Sequence, residues 1–180
     1  HLWSENYDRE LTDVFAVQDE LAQSIVKALE LSLTQDQKKL IQREPNTDSI
    51  DAYDFYLRGR YFVERGDVNT GQQMFENAIE VDENYALAWA GAADCHSWRC
   101  MSYESSPESR RRADECSLKA LELAPDLAEA HASLSYAMTA SGRYEEAEAA
   151  FKNAVELDPQ LYDAYYYAGR AYFAQGRHQE

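Results

Sequence analysis

The chain has 180 residues, 33 of them acidic and 17 basic, for a formal charge of -16. Acid outnumbers base both in residues 1–50 (10 to 5) and in residues 51–180 (23 to 12). Polyphosphates and anionic lipids are held by clustered Lys and Arg, so this balance argues against nucleic acid and charged membranes as main partners. Seven glycines and four prolines among long alanine-rich stretches point to an all-α chain. Neither an apolar run of membrane-spanning length nor a leader-like start is present, so the stretch reads as cytoplasmic, with no membrane contact of its own.

Residues 1–45 read as a unit apart: the C-terminal remnant of a preceding domain plus linker helices. His1 to Tyr7 has the look of a last, extended strand. Thr12-Asp13 supplies a hydroxyl cap and a first-turn acid for a helix running to about Leu33, with Phe15, Leu21, Ile25 and Leu29 along one face. Thr34 with Gln37 forms a capping box for a shorter helix ending near Arg43, and Pro45-Asn46-Thr47-Asp48 breaks the chain.

From residue 46 to 180 the sequence repeats. Phe55, Trp89, His131 and Tyr165 hold one register, at spacings of 34, 42 and 34 residues. Gly59, Ala93, Ser135 and Gly169 follow four residues later, then Phe62, His96, Met138 and Tyr172. The second half of each unit carries Gly71, Ala113 and Ala147, then Phe75, Ser117 and Phe151, then Ala78, Ala120 and Ala154, and last Glu83, Pro125 and Pro159. Small residues are needed where helix backbones approach, with bulky ones beside them to fill the gaps. Gly66, Gly142 and Gly176 fall where the first helix of a unit must reverse. The units are 52–85, 86–127 with an eight-residue insertion, 128–161, and 162–180, which stops half built. The insertion lies between His96 and Ala113, and Ser106-Pro107-Glu108 restarts the helix as cap, first-turn proline and first-turn acid.

This pattern resembles the tetratricopeptide repeat, a 34-residue helix-turn-helix. The resemblance implies a right-handed solenoid of about three and a half repeats, with the first helix of each unit lining a concave groove. Transferring the groove positions selects Tyr53, Tyr56, Leu57, Arg60, Val63 and Glu64 in unit one, and Leu87, Ala90, Gly91, Asp94, Ser97 and Trp98 in unit two. Units three and four contribute Glu129, Ala132, Ser133, Tyr136, Thr139 and Ala140, then Asp163, Tyr166, Tyr167, Arg170, Phe173 and Ala174. Tyr, Trp and Arg dominate binding energy when desolvated. The expected peptide-binding residues are therefore Tyr56, Arg60, Trp98, Tyr136, Tyr166, Tyr167 and Arg170. Packing between helices competes as a role for these aromatics. The carboxylate clamp of chaperone-binding repeats would need Lys, Asn and Arg where this chain has Tyr56, Arg60, Gly91, Glu129 and Ser133, so it is absent.

The first thirty residues resemble the junction that follows a TolB-like domain in bacterial multidomain proteins, where a class III adenylate or guanylate cyclase or a winged-helix DNA-binding domain often stands at the far N-terminus. That implies a place in a signalling protein and transfers no catalytic residue. Cys95, Cys100 and Cys116 with His96 provide no paired ligand motif, so reduced packing thiols are expected and no metal or other cofactor. Arg110-Arg111-Arg112 reads as a solvated helix face. Unit four is expected to leave Ala164, Tyr165, Ala168, Ala171 and Tyr172 as exposed apolar surface for self-association. The whole reads as a non-catalytic interaction scaffold for protein or peptide segments, a possible homo-oligomer, or alternatively as the regulatory region of a cyclase or transcriptional regulator.

Overall fold

The computed structural model describes residues 46–102 and 106–176, together with Ser24, which is helical. The helices expected over 12–33 and 34–43, and the extended segment at 1–7, otherwise lie outside the described residues. Seven helices occupy the described repeats: α1 (Ile50–Glu64), α2 (Val68–Val81), α3 (Ala86–Ser102), α4 (Pro107–Leu123), α5 (Ala128–Ala140), α6 (Tyr144–Leu157) and α7 (Tyr162–Ala174). Among the described residues all helix and strand structure is helical.

The turns follow from local chemistry. Gly66 and Gly142 end the first helices of units one and three at φ of 84° and 73°, a left-handed conformation that costs a Cβ-bearing residue strain. Asp67 caps α2 by accepting from the Thr70 amide at 3.1 Å. In unit two the insertion is absorbed by longer helices: α3 and α4 each run 17 residues, against 13 and 14 for α5 and α6. Ser106 caps α4 as expected, accepting from the Ser109 amide at 3.0 Å with Pro107 in the first turn. Arg111 and Arg112 are tied to Glu108 and Glu115 on their own exposed helix face, which is the solvated role expected of the arginine triplet.

The core is built largely of alanine, so small residues let the helices approach and a few rings fill the remaining gaps. Phe75 of α2 is 1% exposed and sits between Gly59 of α1 and Gly91 of α3. A Cβ placed on either glycine would come within 2.5–2.7 Å of the ring, far inside van der Waals contact. Cys95, Cys100 and Cys116 are buried. Burial pushes the Cys116 thiol up to about 11 and raises Cys95 further, so both stay protonated at neutral pH.

One recurring hydrogen bond gives a chemical reason for the register. The Trp89 indole N–H donates to the Glu83 carbonyl at 2.9 Å, His131 Nε2 to the Pro125 carbonyl at 2.8 Å, and the Tyr165 hydroxyl to the Pro159 carbonyl at 3.0 Å. Three different donors thus reach six residues back to tie the end of one unit to the start of the next. Because a carbonyl only accepts, His131 carries its proton on Nε2. Tyr165→Phe keeps the ring and loses the donor, so urea unfolding should show a loss of about 1 kcal/mol, the net worth of one hydrogen bond. An unchanged midpoint would assign the register to packing alone.

Candidate functional site

Helices α1, α3, α5 and α7 are the first helices of the four units, and together with Phe75 they enclose a cleft of about 100 Å³. All of its other lining residues fall at transferred groove positions. Tyr56 and Arg60 reach it from α1, Asp94 from α3, Glu129 from α5, and Asp163 and Tyr167 from α7. Units one and four therefore meet across the groove, where Arg60 lies 3.6 Å from Asp163. Arg60 also lies 3.7 Å from Glu64 one turn along its own helix. Burial alone would lower the Arg60 pKa, but the neighbouring Tyr56 and Asp163 outweigh it and hold the guanidinium charged. The Tyr56 phenol is raised by burial, with Arg60 opposing.

Asp94 is the unusual group. Its Oδ1 is buried and has no hydrogen-bond partner in the protein. Loss of solvation lifts its carboxyl to about 7, against the pull of the Ser133 and Tyr167 hydroxyls and of Arg60, and Asp163 pushes the same way as burial. Ser133 has another acceptor: its hydroxyl donates to the Ala90 carbonyl at 3.2 Å, linking α5 to α3. The Tyr167 phenol is raised in turn, first by burial and then by the Asp94 charge. Four carboxylates (Glu64, Asp94, Glu129 and Asp163) face one guanidinium in this cleft.

Of the seven expected groove residues, Tyr56, Arg60 and Tyr167 line the cleft. Tyr136 does not present its own surface: it is 1% exposed and stacks on Tyr167 at 4.2 Å with the rings 7° from parallel. Arg170 covers it, with the guanidinium carbon 5.7 Å from the Tyr136 centroid and 6.0 Å from that of Tyr166. Arg170 also donates to the exposed Tyr166 hydroxyl at 3.3 Å. Tyr136, Tyr166 and Arg170 thus form a second cluster, joined to the cleft through Tyr167. Trp98 does not line the cleft; it is half-buried, packed against the core clusters that hold Tyr136 and Tyr167 and, separately, Phe75. Ser97, Ser133 and Thr139, also at groove positions, are buried and bonded to backbone carbonyls.

The expected apolar surface of unit four needs correction. Ala164, Ala168 and Ala171 are buried, because the small-residue stripe of α7 is the face that approaches the preceding unit. Tyr172 is half-buried beside them, while Tyr165 is half-exposed and held by its hydroxyl. The exposed apolar rings of α7 are Tyr162, Tyr165, Tyr166 and Phe173, with Tyr162 at 73% and Phe173 at 74%.

Asp94, Glu129 and Asp163 fall at groove positions, but a carboxylate on a helix ordinarily reads as solvated surface. Only the approach of units one and four reveals that they share a cleft. Among the described residues no group of three or more His, Cys, Asp or Glu is arranged to hold a metal ion, and no helix is long and apolar enough to cross a membrane.

Comparison with known proteins agrees with this architecture. The family described as TPR repeat matches residues 136–176. The TPR domain of Arabidopsis OM64 superposes with a TM-score of 0.54 at 20% identity, covering 67% of this chain and 93% of that one. The first TPR of Spaghetti (RPAP3), bound to the HSP90 peptide SRMEEVD, superposes with a TM-score of 0.55 at 16% identity, covering 74% of this chain and 99% of that one. The fold is that of a tetratricopeptide-repeat solenoid. A protein of Rhizobium meliloti (strain 1021) named "Putative adenylate cyclase 3" is 31% identical over 157 residues, covering 82% of this chain. The chain spans about a quarter of that relative's length, 26%.

Proposed function

We propose that this solenoid is a non-catalytic interaction scaffold that takes a peptide or helical segment of a protein partner along its first helices. The observation that carries the reading is the convergence of α1, α3, α5 and α7 on one cleft, continuous through Tyr167 with the Arg170–Tyr166 cluster. The solved relative that holds an HSP90 peptide supports a peptide as the class of ligand. The ligand differs from that peptide in chemistry, because the residues of a carboxylate clamp are missing.

The test compares capture of partner proteins by the wild-type chain and by Arg170→Ala and Tyr166→Ala, which remove groove surface without opening the core. Loss of most of the same captured proteins from both variants is expected. Equal capture by all three would sink the groove reading. Self-association would use the exposed rings of α7, and sedimentation of the same preparations reports it as a concentration-dependent mass.

A second reading is favoured by the Rhizobium relative and by the resemblance of the first thirty residues to a TolB-like junction. In it the solenoid is the regulatory region of a nucleotide cyclase, and its partner segment lies in the same polypeptide. A cyclase or DNA-binding domain encoded ahead of His1 distinguishes an internal partner from an external one.

A further inference from the structure

We infer that α7 pairs antiparallel with α7 of a second copy of this chain, Tyr166 of each copy seated over Gly169 of the other. This gives the self-association named above its partner and its register, and it does not depend on the groove reading. One stripe of α7 carries the inference: Tyr162, Tyr165, Tyr166, Gly169 and Phe173 recur at helical spacing along one side. The four rings are 42–74% exposed, a concentration of apolar surface of the kind that marks an interaction site. Gly169 lies open among them, since a Cβ there would meet nothing within 4 Å.

The other units show how such a stripe is used. Gly59, at the register of Gly169, is a seat for the Phe75 ring, which a Cβ there would approach to 2.5 Å. At the register of Tyr162 the other units carry Ala52, Ala86 and Ala128, all buried. Ala52 and Ala128 pack among residues of the two helices that follow each of them, an approach that needs a small side chain. Tyr162 would hold such a neighbour off, so α7 suits a partner that meets ring with ring at this end and fills a glycine further along. A second α7 is that partner. In an antiparallel pair of identical helices, residues at equal distances on either side of the two-fold axis face each other. Tyr166 with Gly169, and Tyr162 with Phe173, share one midpoint in the sequence. Seating Tyr166 on Gly169 therefore brings Phe173 over Tyr162 with no further adjustment. A parallel pair would set glycine against glycine and leave a gap.

Area sets the strength. An aromatic side chain buries about 150–250 Å², so four rings at these exposures offer roughly 500 Å² per copy. Both copies together reach the low end of specific interfaces, where weak and transient dimers lie. Charge permits the approach, because Asp163 and Arg170 balance and leave α7 neutral on a chain of -16.

The experiment is sedimentation equilibrium of the 180-residue chain from about 1 μM to 1 mM. The mass should rise from 20.6 kDa toward twice that value and stop there, because an isologous contact closes on itself. Gly169→Leu tests the seat. It replaces a helix-interior glycine where there is room, so the melting temperature in dilute solution should rise while the dimer weakens about tenfold. Added apolar surface would instead strengthen unspecific sticking. Tyr162→Lys and Phe173→Glu should each weaken the dimer about tenfold, and the two changes together should recover part of the loss, since opposite charges then face each other across the axis. A strict monomer over the whole range overturns the proposal. So do growth beyond the dimer, a dimer that Gly169→Leu leaves intact, and a double variant no tighter than either single one. Each of these results leaves the groove reading standing, because Gly169 is not a groove position and Arg170→Ala tests capture separately.

Discussion

Replacing Phe75 by alanine should lower the free energy of unfolding by about 3–5 kcal/mol, the cost of deleting a fully enclosed ring from a core that can only partly collapse. The expectation is at the high end because of what surrounds the ring. Gly59 and Gly91 sit in helix interiors, where glycine is worth about 1 kcal/mol less than alanine, and both are shaped to Phe75. With the ring gone, neither glycine has a side chain to move into the space. Gly91→Ala should itself cost about 1–3 kcal/mol by overpacking, since its Cβ would lie 2.7 Å from Cε1 and Cζ of the ring. The informative measurement is the double-mutant cycle by urea unfolding. Gly91→Ala made in a Phe75→Leu background should be nearly neutral, and the coupling should equal most of its single-site cost. Additive effects would mean the ring can swing aside, and the glycines are then not its seat.

The second large effect is a gain. Asp94→Asn should stabilise the protein at pH 8 on the order of 4 kcal/mol, as one pKa unit corresponds to 1.36 kcal/mol and the carboxyl is lifted from 3.8 to about 7. The sign follows from proton counting. Below pH 3.8 the group is protonated whether folded or not, and it imposes no charge penalty. Between 3.8 and 7 the folded protein keeps a proton that the unfolded chain has released, so stability falls as pH rises and levels off above 7. In Asp94→Asn that slope should disappear, and thermal melts of the two proteins should converge toward pH 4. Equal melting temperatures at pH 8 would show that the carboxylate is solvated or paired in solution.

The architecture was readable because its determinants are local and repeated. The left-handed glycines at 66 and 142 and the Ser106 cap each satisfy a requirement set within one unit, whereas the seat of Phe75 against Gly59 appears only in the packing. Gly91 was not readable in the same way: its partner ring belongs to the preceding unit, and nothing in the register separates a groove position from a seat for that ring. Tyr136 failed for a related reason. Position placed it in the groove, but stacking on Tyr167 of the next unit removed it from solvent, so its surface is delivered by Arg170 instead. The cleft itself depends on how far the solenoid curls between units one and four, a quantity summed over every interface and set by none of them alone. The same holds for α7, whose alanines were expected outside and are inside, because unit four offers its small residues to the preceding unit as every other unit does.

The contact between Arg60 and Asp163 bears on how the molecule comes apart. A linear array of repeats melts from its ends inward, each unit answering only to its neighbours. A tie between the first and fourth units adds a contact that skips two neighbours, so loosening α7 releases a constraint on α1. A segment that enters between them acts on both units at once.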